Sequence, residues 1–321
     1  MTTERQFISD LAQRFPARPP VEVGIGDDGA VLDCRGASCQ VIVTDMLLDG
    51  VHFDLRSTPP ELAGRKAIAV NLSDLAAMGC RPTAAFVSLA LPTRGTSDQD
   101  DLVRRLYDGI ASLTDQFDFS LAGGDTNAWD GRLAINVCLT GIPFGQQPLL
   151  RSGARPGDAI FVTGALGGSL HSGRHLSFLP RLAESEWLVR HTQVHAMMDI
   201  SDGLSIDLHR LVDASGVAAE LLAWQIPVHP DARGKSAGGI VETTDFCLPD
   251  PGLRAALSDG EDFELLFTVA PEEAARLNQM ATQLPARFSE IGRIVDGRGC
   301  RLRITPDETR DLPETGWQHE F

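Results

Sequence analysis

The chain has 321 residues, of which 28 are lysine or arginine and 44 are aspartate or glutamate, giving a formal net charge of −16. That sign is wrong for a surface that follows nucleic-acid phosphates, and it argues against nucleic acid as a partner. An acidic protein would also repel a nucleotide or a phosphate ester, so a ligand of that kind needs cations to bridge it to the protein.

The six cysteines are spread along the chain, without a CxxC pair or a zinc-type spacing to histidine, which predicts reduced thiols. The opening segment MTTERQFISDLAQRF is charged and lacks the apolar core of a signal peptide. No window approaches the roughly 20 apolar residues that a membrane span needs. We therefore expect a cytoplasmic protein without membrane contacts. Its length predicts two domains of roughly 150 residues each.

Strands and helices alternate in the first half. The β-branched run QVIVTDML, from Gln40 to Leu47, predicts a buried strand. The segment that follows starts with two prolines, ends at Gly79 and is apolar on nearly every face between Ala67 and Met78. A helix with apolar residues all round is predicted to be buried on all sides.

Three further strands and one helix complete the first half. The strands are predicted at AAFVSLALP, FSLAGGDT and RLAINVCLTGI. The helix is predicted in SDQDDLVRRLYDGIASLTDQF, with Ser97 as its candidate N-cap. Leu102, Leu106, Ile110 and Leu113 share one stripe of this helix, which is therefore expected to be amphipathic.

A cluster of glycine and proline in LLRSGARPGDA marks a domain boundary near Leu150, which divides the chain into residues 1–149 and 150–321. In the second half, DAIFVTG, DFELLFTV and RFSEIGRIV predict strands. MMDISDGLSIDLHRLVDASG predicts a turn followed by a helix ending near Gly216, and PEEAARLNQMATQL predicts another helix. Because no strict βαβ rhythm appears, the predicted class is α+β with two mixed α/β domains.

Acidic side chains recur beside glycines or at the ends of strands. Asp beside Gly is common in turns, because the carboxylate bonds its own backbone and glycine supplies positive φ. Each segment taken alone is therefore predicted as a turn. The segments are GIGDDGAVL, VTDMLLDGVHF, LSDLAAMG, GGDT, DISDG and DGEDFE.

Asp74 departs from this turn pattern, since it lies with Asn71 inside the predicted buried helix. A buried carboxylate without a partner costs several kcal/mol, so Asp74 is expected to face a cation. Magnesium is the candidate, because it prefers oxygen ligands and commonly bridges carboxylates to phosphates. Asp45, at the end of the buried strand, supports the same expectation, because open sheets place ligands at strand ends.

The chain contains none of the common sequence motifs for nucleotide-binding loops, zinc sites or serine nucleophiles. GxxxxGK[ST], GxSxG and HExxH are absent, and no GxGxxG opens a helix after a strand. The glycine cluster GALGGS is more typical of a tight turn than of a phosphate loop. His52 beside the acidic turns has a structural or a ligand-binding interpretation. Arg151 is a candidate phosphate contact, because its guanidinium fits phosphate with two parallel bonds.

Taken in order, these segments resemble the motif set of the thiamine-monophosphate kinase family. The resemblance extends from Val23 nearly to the C-terminus, and the VNLSDLAAMG helix is its most specific part. The segments that carry it are GIGDDGAVL, TDMLLDGVHF, KAIAVNLSDLAAMGCRP, LAGGDT, LRSGARPGD, DISDGL, GEDFELLFTV and GWQHEF.

The resemblance implies the fold of aminoimidazole ribonucleotide synthetase, with N-terminal sheets pairing across a homodimer. It implies Mg²⁺-dependent transfer of the γ-phosphoryl group of ATP to thiamine monophosphate, with no general base. The implied magnesium ligands are Asp28, Thr44, Asp45, Asp74, Asp125, Asp199 and Asp202. The implied nucleotide contacts are Tyr107, Gly124, Asp125, Arg151 and Ser201, with Arg151 also stabilising the transferred charge, and the implied acceptor contacts are His52, Glu261 and Trp317.

Two alternatives stay open. One is another enzyme of the same superfamily acting on a different acceptor, although the chain lacks the cysteines that selenium or carbamoyl chemistry would use. The other is a noncatalytic nucleotide-binding relative. The chain also departs from the usual family pattern by a short segment between Gly167–Ser169 and Arg174–Leu176, and by one extra residue in the ending GWQHEF. These departures concern the acceptor side.

Overall fold

The structure is a computed structural model, and it describes residues 8–9, 12–13, 17–18, 20–33, 39–93, 98–233, 248, 250–280 and 285–318. The N-cap predicted at Ser97 lies outside these residues, as do Cys34 and Cys247. The other cysteines are free thiols, in agreement with the prediction; they are Cys39, Cys80, Cys138 and Cys300.

The described residues of the first domain form a six-stranded sheet with two long helices beside it. Its strands are β1 (Val21–Val23), β2 (Ala30–Leu32), β3 (Gln40–Leu48), β4 (Cys80–Pro92), β5 (Ser120–Trp129) and β6 (Ala134–Pro143). Its helices are α1 (Pro60–Ala77) and α2 (Gln99–Phe117). The strand order is β1-β2-β3-β6-β4-β5, and β4 and β5 are its parallel pair. Strand β5 therefore forms one edge.

The second domain is a seven-stranded sheet with helices packed on it. Its strands are β7 (Ala159–Thr163), β8 (Val194–Ile200), β9 (Ala218–Leu222), β10 (Glu264–Val269), β11 (Phe288–Val295), β12 (Gly299–Thr305) and β13 (Glu308–Asp311). Its helices are α3 (Ser169–Ser172), α4 (Leu182–His191), α5 (Leu204–Ser215), α6 (Pro251–Ser258) and α7 (Pro271–Gln279). The strand order is β13-β12-β9-β11-β7-β10-β8, with β9 and β12 parallel.

Mostly antiparallel sheets with helices confirm the α+β prediction. The boundary predicted at Leu150 falls in the connection between β6 and β7. The stretch MMDIS differs from the prediction, because Met197–Ile200 continue strand β8 rather than forming a turn. Strand β10 pairs with β8 and leaves these residues fully buried between neighbours, which favours extended backbone.

Helix α1 is buried on all sides, as its apolar composition predicts. It packs against β3, β4 and β6 of its own sheet, against α2, and against α4 and β8 of the second domain. A helix between two domains has no solvent face, so it needs no polar stripe. The few polar side chains of this helix therefore lie in mostly apolar surroundings and need specific partners. They include Lys66, Asn71, Ser73 and Asp74.

Helix α2 is amphipathic, as predicted, and its stripe Leu102, Leu106, Ile110 and Leu113 is buried. The prediction of Ser97 as its N-cap is wrong, because the N-cap is Asp98, whose side chain accepts a hydrogen bond of 2.9 Å from the amide of Asp101. No helix in the described ranges combines the length and the apolar character that crossing a membrane requires.

The crossing of α1 and α2 depends on two glycines. A Cβ at Gly64 would collide with the Leu106 carbonyl, and one at Gly109 would collide with the Glu61 carbonyl. We expect Gly109→Ala to lower the free energy of unfolding by about 1–3 kcal/mol, because the helix backbones would have to separate. Urea unfolding measures this, with exposed Ser112→Ala as the control on the same helix. Equal stability of the two variants would contradict the close crossing.

Candidate active site

A cavity of about 700 Å³ is lined by residues from both domains. Helix α1 and the end of β3 form one wall, and the turn after β8, helix α5 and the segment before β10 form the other. Most of the predicted site residues meet here. They are Asp28, Thr44, Asp45, His52, Asp74, Arg151, Asp199, Ser201, Asp202, Glu261 and Trp317.

Three carboxylates meet at the floor of this cavity. One oxygen from each of Asp28, Asp74 and Asp199 lies within 4.8 Å of the other two. Asp28 comes from the turn before β2, Asp74 from α1, and Asp199 from the end of β8. The hydroxyl of Ser73 donates to Asp199 Oδ2 at 2.6 Å and fixes that carboxylate. The fold thus joins three distant segments at one point.

The pKa values of Asp74 and Asp199 are raised, because a buried carboxylate is costly in its charged form. Burial raises the pKa of Asp74 well above its usual range, and the charges of Asp45, Asp199 and Asp28 raise it further. Burial also raises the pKa of Asp199, with Asp28 adding to the effect. Buried like charges favour the protonated form unless a cation joins them. The pKa shifts therefore indicate a site that suits a cation.

Asp45 adds a fourth carboxyl group close to the cluster. Burial raises the pKa of Asp45, and the charges of Asp202, Asp28 and Glu261 add to the effect. The atoms that these four residues offer to a metal are all carboxylate oxygens, which is the ligand type that magnesium prefers. Asp28, Asp74 and Asp199, with Asp45 beside them, fit such an ion.

Arg151 is bound to the cluster instead of standing free. Its Nε donates to Asp28 Oδ2 at 3.0 Å and its Nη2 donates to Asp28 Oδ1 at 2.7 Å. Burial acts to lower the pKa of Arg151, but Asp28 and Asp27 outweigh it and raise the pKa. Arg151 is thus a fixed positive charge beside the carboxylates. Its role as a nucleotide contact remains a prediction.

The sequence predictions included Glu261 but missed Lys66 and His175, which form a second polar group with it at the site. Lys66 Nζ contacts Glu261 Oε2, lies 2.9 Å from His175 Nδ1 and donates to the His52 carbonyl at 2.7 Å. His175 Nδ1 is 2.8 Å from Glu261 Oε2. The Lys66 side chain is fully buried. His175 Nδ1 can accept from Lys66 Nζ or donate to Glu261 Oε2, but it cannot do both at once.

Glu261 is held in an uncommon backbone conformation. Its φ is +66° and that of Phe263 is +51°, although neither residue is glycine. The amide of Glu261 donates to the Ser201 carbonyl at 2.6 Å, and that of Phe263 donates to the Ile200 carbonyl at 2.8 Å. Left-handed backbone in such residues costs about 1–3 kcal/mol each and clusters at functional sites. The strain supports a functional role for Glu261.

The glycine cluster GALGGS is a turn, and its amides are occupied by carboxylates. Gly167 N donates to Asp262 Oδ2 at 2.7 Å, and Gly168 N donates to Asp259 Oδ2 at 3.0 Å. Phosphate cannot use the same amides, so the structure favours the turn interpretation. His52 Nδ1 accepts a bond of 2.9 Å from Leu48 N, which supports the structural interpretation of that histidine.

Tyr107, Gly124 and Asp125 do not line the cavity. Tyr107 is half-buried on α2, and Gly124 and Asp125 are exposed on the edge strand β5. The Asp125 carboxylate accepts bonds from Thr126 N at 2.9 Å and Asn127 Nδ2 at 2.8 Å. Thr44 lines the cavity, but its hydroxyl donates to the Val137 carbonyl at 2.9 Å. The ligand roles of Tyr107, Gly124, Asp125 and Thr44 therefore remain predictions.

Without metal, the protein is expected to lose stability as the pH rises from about 4 to about 7. Burial raises the pKa of Asp207 to about 7 and that of Asp262 to about 7. In this range the folded state keeps protons that the unfolded state has released, so the free energy of unfolding falls with pH. Urea unfolding in EDTA at several pH values measures the slope. Added Mg²⁺ should stabilise more at high pH, where it displaces fewer protons from Asp74 and Asp199. A rising stability in EDTA would contradict the pKa shifts.

Comparison with known protein families gives one match in each half of the chain. Residues 26–143 match the family described as AIR synthase related protein, N-terminal domain, and residues 176–305 match AIR synthase related protein, C-terminal domain. A hydrogenase maturation protein of E. coli is 21% identical, with a TM-score of 0.68 over 97% of this chain and 98% of that one. At that identity the likeness shows the fold alone.

Relatives with higher identity narrow the family. The thiamine-monophosphate kinase of Rhodopirellula baltica is 40% identical, covering 98% of this chain and 97% of that protein. The thiamine-monophosphate kinase of Bacillus subtilis is 31% identical, covering 98% and 99%. A solved structure of AaThiL complexed with AMPPCP and TMP is 29% identical, with a TM-score of 0.79 over 99% of this chain and 97% of that one. The chain is therefore a member of the thiamine-monophosphate kinase family, built on the fold of the AIR synthase related proteins.

Proposed function

We propose that the protein transfers the γ-phosphoryl group of ATP to thiamine monophosphate in a magnesium-dependent reaction that yields thiamine diphosphate and ADP. The observation that carries the proposal is the cluster of Asp28, Asp74 and Asp199 at the floor of a cavity between two domains. The relatives named thiamine-monophosphate kinase support the choice of substrates, as does the AaThiL complex with an ATP analogue and TMP.

The proposed reaction does not require a general base from the protein. The attacking atom is a phosphate oxygen, and a phosphate monoester with a second pKa near 6 is largely ionised at neutral pH. The residues therefore have to hold two anionic groups in line and offset their charge. Mg²⁺, when bound by these carboxylates, would neutralise charge on the transferred group. Arg151, fixed beside Asp28, adds a positive charge at the same end of the cavity.

The acceptor is expected at the other end of the cavity. Thiamine carries a cationic thiazolium ring, which an acidic cavity attracts and an aromatic ring can stack on. Trp317 lines the cavity with 47% of its surface exposed, and its amide donates to the Asp202 carbonyl at 2.9 Å. Phe263 and Glu261 line the cavity as well. Aromatic rings and a carboxylate together suit a flat cation.

The direct test incubates the protein with Mg²⁺, ATP and thiamine monophosphate and follows ADP and thiamine diphosphate separately. Thiamine and unrelated monophosphates serve as control acceptors. We expect one thiamine diphosphate for each ADP, and no reaction in EDTA. ADP without thiamine diphosphate would reject this acceptor in favour of another one. Binding of nucleotide without turnover on any acceptor would support a noncatalytic relative.

We further propose a homodimer formed through the N-terminal sheet. All ten residues of the edge strand β5 are exposed, although edge strands are normally covered or charged. Met46, Phe86, Leu121 and Trp129 expose 56, 43, 41 and 48% of their surface on or beside this sheet. Exposed apolar residues of this number mark an interaction surface. A partner there would also cover Gly124 and Asp125.

Light scattering after size-exclusion chromatography tests the dimer. We expect a mass of about two chains for the native protein, and of one chain for Leu121→Arg, because a charge would be buried at the centre of the interface. Arg104→Gln, on the exposed side of α2, is the control. A native monomer would contradict the proposed pairing.

A further inference from the structure

Arg210 is a cationic side chain that lines the cavity, and it was not among the site residues predicted from the sequence. It lies on α5, where it lines the cavity together with Asp213 and Ala214. Residues three and four apart share one face of a helix, so this face of α5 is turned to the cavity. The Arg210 side chain is 22% exposed.

One nitrogen of Arg210 makes both of its ion pairs. Nη1 donates to Asp202 Oδ2 at 2.6 Å and to Asp207 Oδ1 at 2.8 Å. Among the described residues, no hydrogen bond from Nε or Nη2 of Arg210 is formed. Three N–H donors of the guanidinium are therefore available to a ligand. Arg151 differs, since its Nε and Nη2 both hold Asp28.

Asp207 makes the position of Arg210 rigid. Its side chain is fully buried, and its Oδ2 accepts from the amides of Asp202 and Gly203 at 3.0 and 3.1 Å. These bonds occupy the two amides that precede the first residue of α5 and hold the Asp207 carboxylate beside the guanidinium of Arg210.

Asp202 stands apart from the carboxylate cluster. The group of acids close enough to share one ion consists of Asp28, Asp74 and Asp199, and it does not include Asp202. The oxygen Oδ2 of Asp202 is instead paired with Arg210 at 2.6 Å. A carboxylate that holds a guanidinium in place is a common way to aim that guanidinium at a third group.

We propose that Arg210 binds a phosphate group of one substrate, and that Asp202 positions the guanidinium of Arg210. The inference rests on the proposed function, because it needs substrates with phosphate groups. A guanidinium fits phosphate through two parallel charged bonds, and such bonds are about twice as strong as neutral ones. The nucleotide and the acceptor both carry phosphate, and binding experiments separate the two sources.

The first experiment measures the affinity of AMPPCP and of thiamine monophosphate by calorimetry at fixed Mg²⁺. We expect Arg210→Gln to weaken one of them about tenfold or more, which corresponds to about 1.4 kcal/mol. Arg210→Lys should restore part of this loss, because it keeps the charge but not the fork. Arg190→Gln, an exposed arginine on α4, is the matched control. Unchanged affinity for both ligands in Arg210→Gln would overturn the proposal.

The second experiment measures the same affinities in Asp202→Asn and in the double variant Asp202→Asn, Arg210→Gln. Asp202→Asn should weaken the same substrate as Arg210→Gln, and the two losses should be less than additive in the double variant, because the two residues act as a unit. Fully additive losses would overturn the positioning role of Asp202. If the native protein binds neither AMPPCP nor thiamine monophosphate, the proposed function fails instead.

Discussion

Asp74→Asn is expected to reduce turnover at saturating Mg²⁺ by about 100-fold or more and to stabilise the metal-free protein. Asp74 belongs with Asp28 and Asp199 to the carboxylate group proposed to hold Mg²⁺, and loss of even an outer partner of a metal site costs about 10- to 100-fold. In EDTA the same carboxylate destabilises the folded protein, because burial and three neighbouring acids disfavour its charged form and raise its pKa. Removing it should raise the free energy of unfolding by about 1 kcal/mol.

Steady-state rates and urea unfolding in EDTA measure the two effects on the same preparation. Asp108→Asn is the matched control, because Asp108 is exposed on α2 and faces solvent instead of the cavity. We expect it to change neither quantity. A variant at Asp74 that is less stable and equally active would show that the carboxylate serves the fold and not a cation.

Two acids of the cavity, Asp74 and Asp45, are selected from the residues themselves, whereas Asp28, Asp199 and Asp202 are assigned only through the family resemblance. Asp74 lies in a largely apolar helix, and burial of that helix between two domains makes the carboxylate costly. Asp45 is expected at the end of a strand, but β3 continues to Leu48, so Asp45 lies within the strand. The strands and helices that carry these residues were predictable for a related reason, since strong apolar periodicity survives in almost any tertiary context.

Lys66 satisfies the same criterion as Asp74, a charge inside an apolar helix, and could have been predicted to need a partner. The identity of that partner could not. His175 and Glu261 are 109 and 195 residues away along the chain and reach Lys66 only through the packing of both domains. Positive φ at Glu261 is likewise invisible in the sequence, because the local preference of glutamate is for helix. Long-range pairing and backbone strain are properties of the assembled fold.

The site therefore holds two kinds of charge balance. Near Asp28, Asp74 and Asp199 several acids are buried together, and burial and the neighbouring charges raise the pKa of Asp74 and of Asp199. Glu261 is instead paired with Lys66, and its contacts with His175 and Lys66 lower its pKa although burial acts to raise it. The cluster therefore suits a cation, whereas Glu261 is an anion whose position is fixed by its partners. That difference agrees with the proposed metal-bound phosphates at the cluster and an organic cation beside Glu261.

Lys66→Met is expected to raise the KM for thiamine monophosphate about 30-fold while leaving the KM for ATP within about twofold. Met fills the volume of the buried lysine stem but removes the charge that fixes Glu261. Glu261 then keeps His175 as its partner and loses the stronger one, so its carboxylate is held less firmly. Breaking a buried ion pair on one side costs about 3 kcal/mol of stability, so unfolding must be measured beside the kinetics.

The double variant Lys66→Met, Glu261→Gln separates binding from stability. With both charges removed, no uncompensated buried charge remains, so the free energy of unfolding should recover to within about 1 kcal/mol of the native value. The KM for thiamine monophosphate should stay high, because the anion that attracts the thiazolium is gone. Lys66→Arg, which keeps the charge, should lie between native and Lys66→Met in that KM. If the double variant regains the native KM along with its stability, Lys66 and Glu261 form a structural pair and the acceptor binds elsewhere in the cavity.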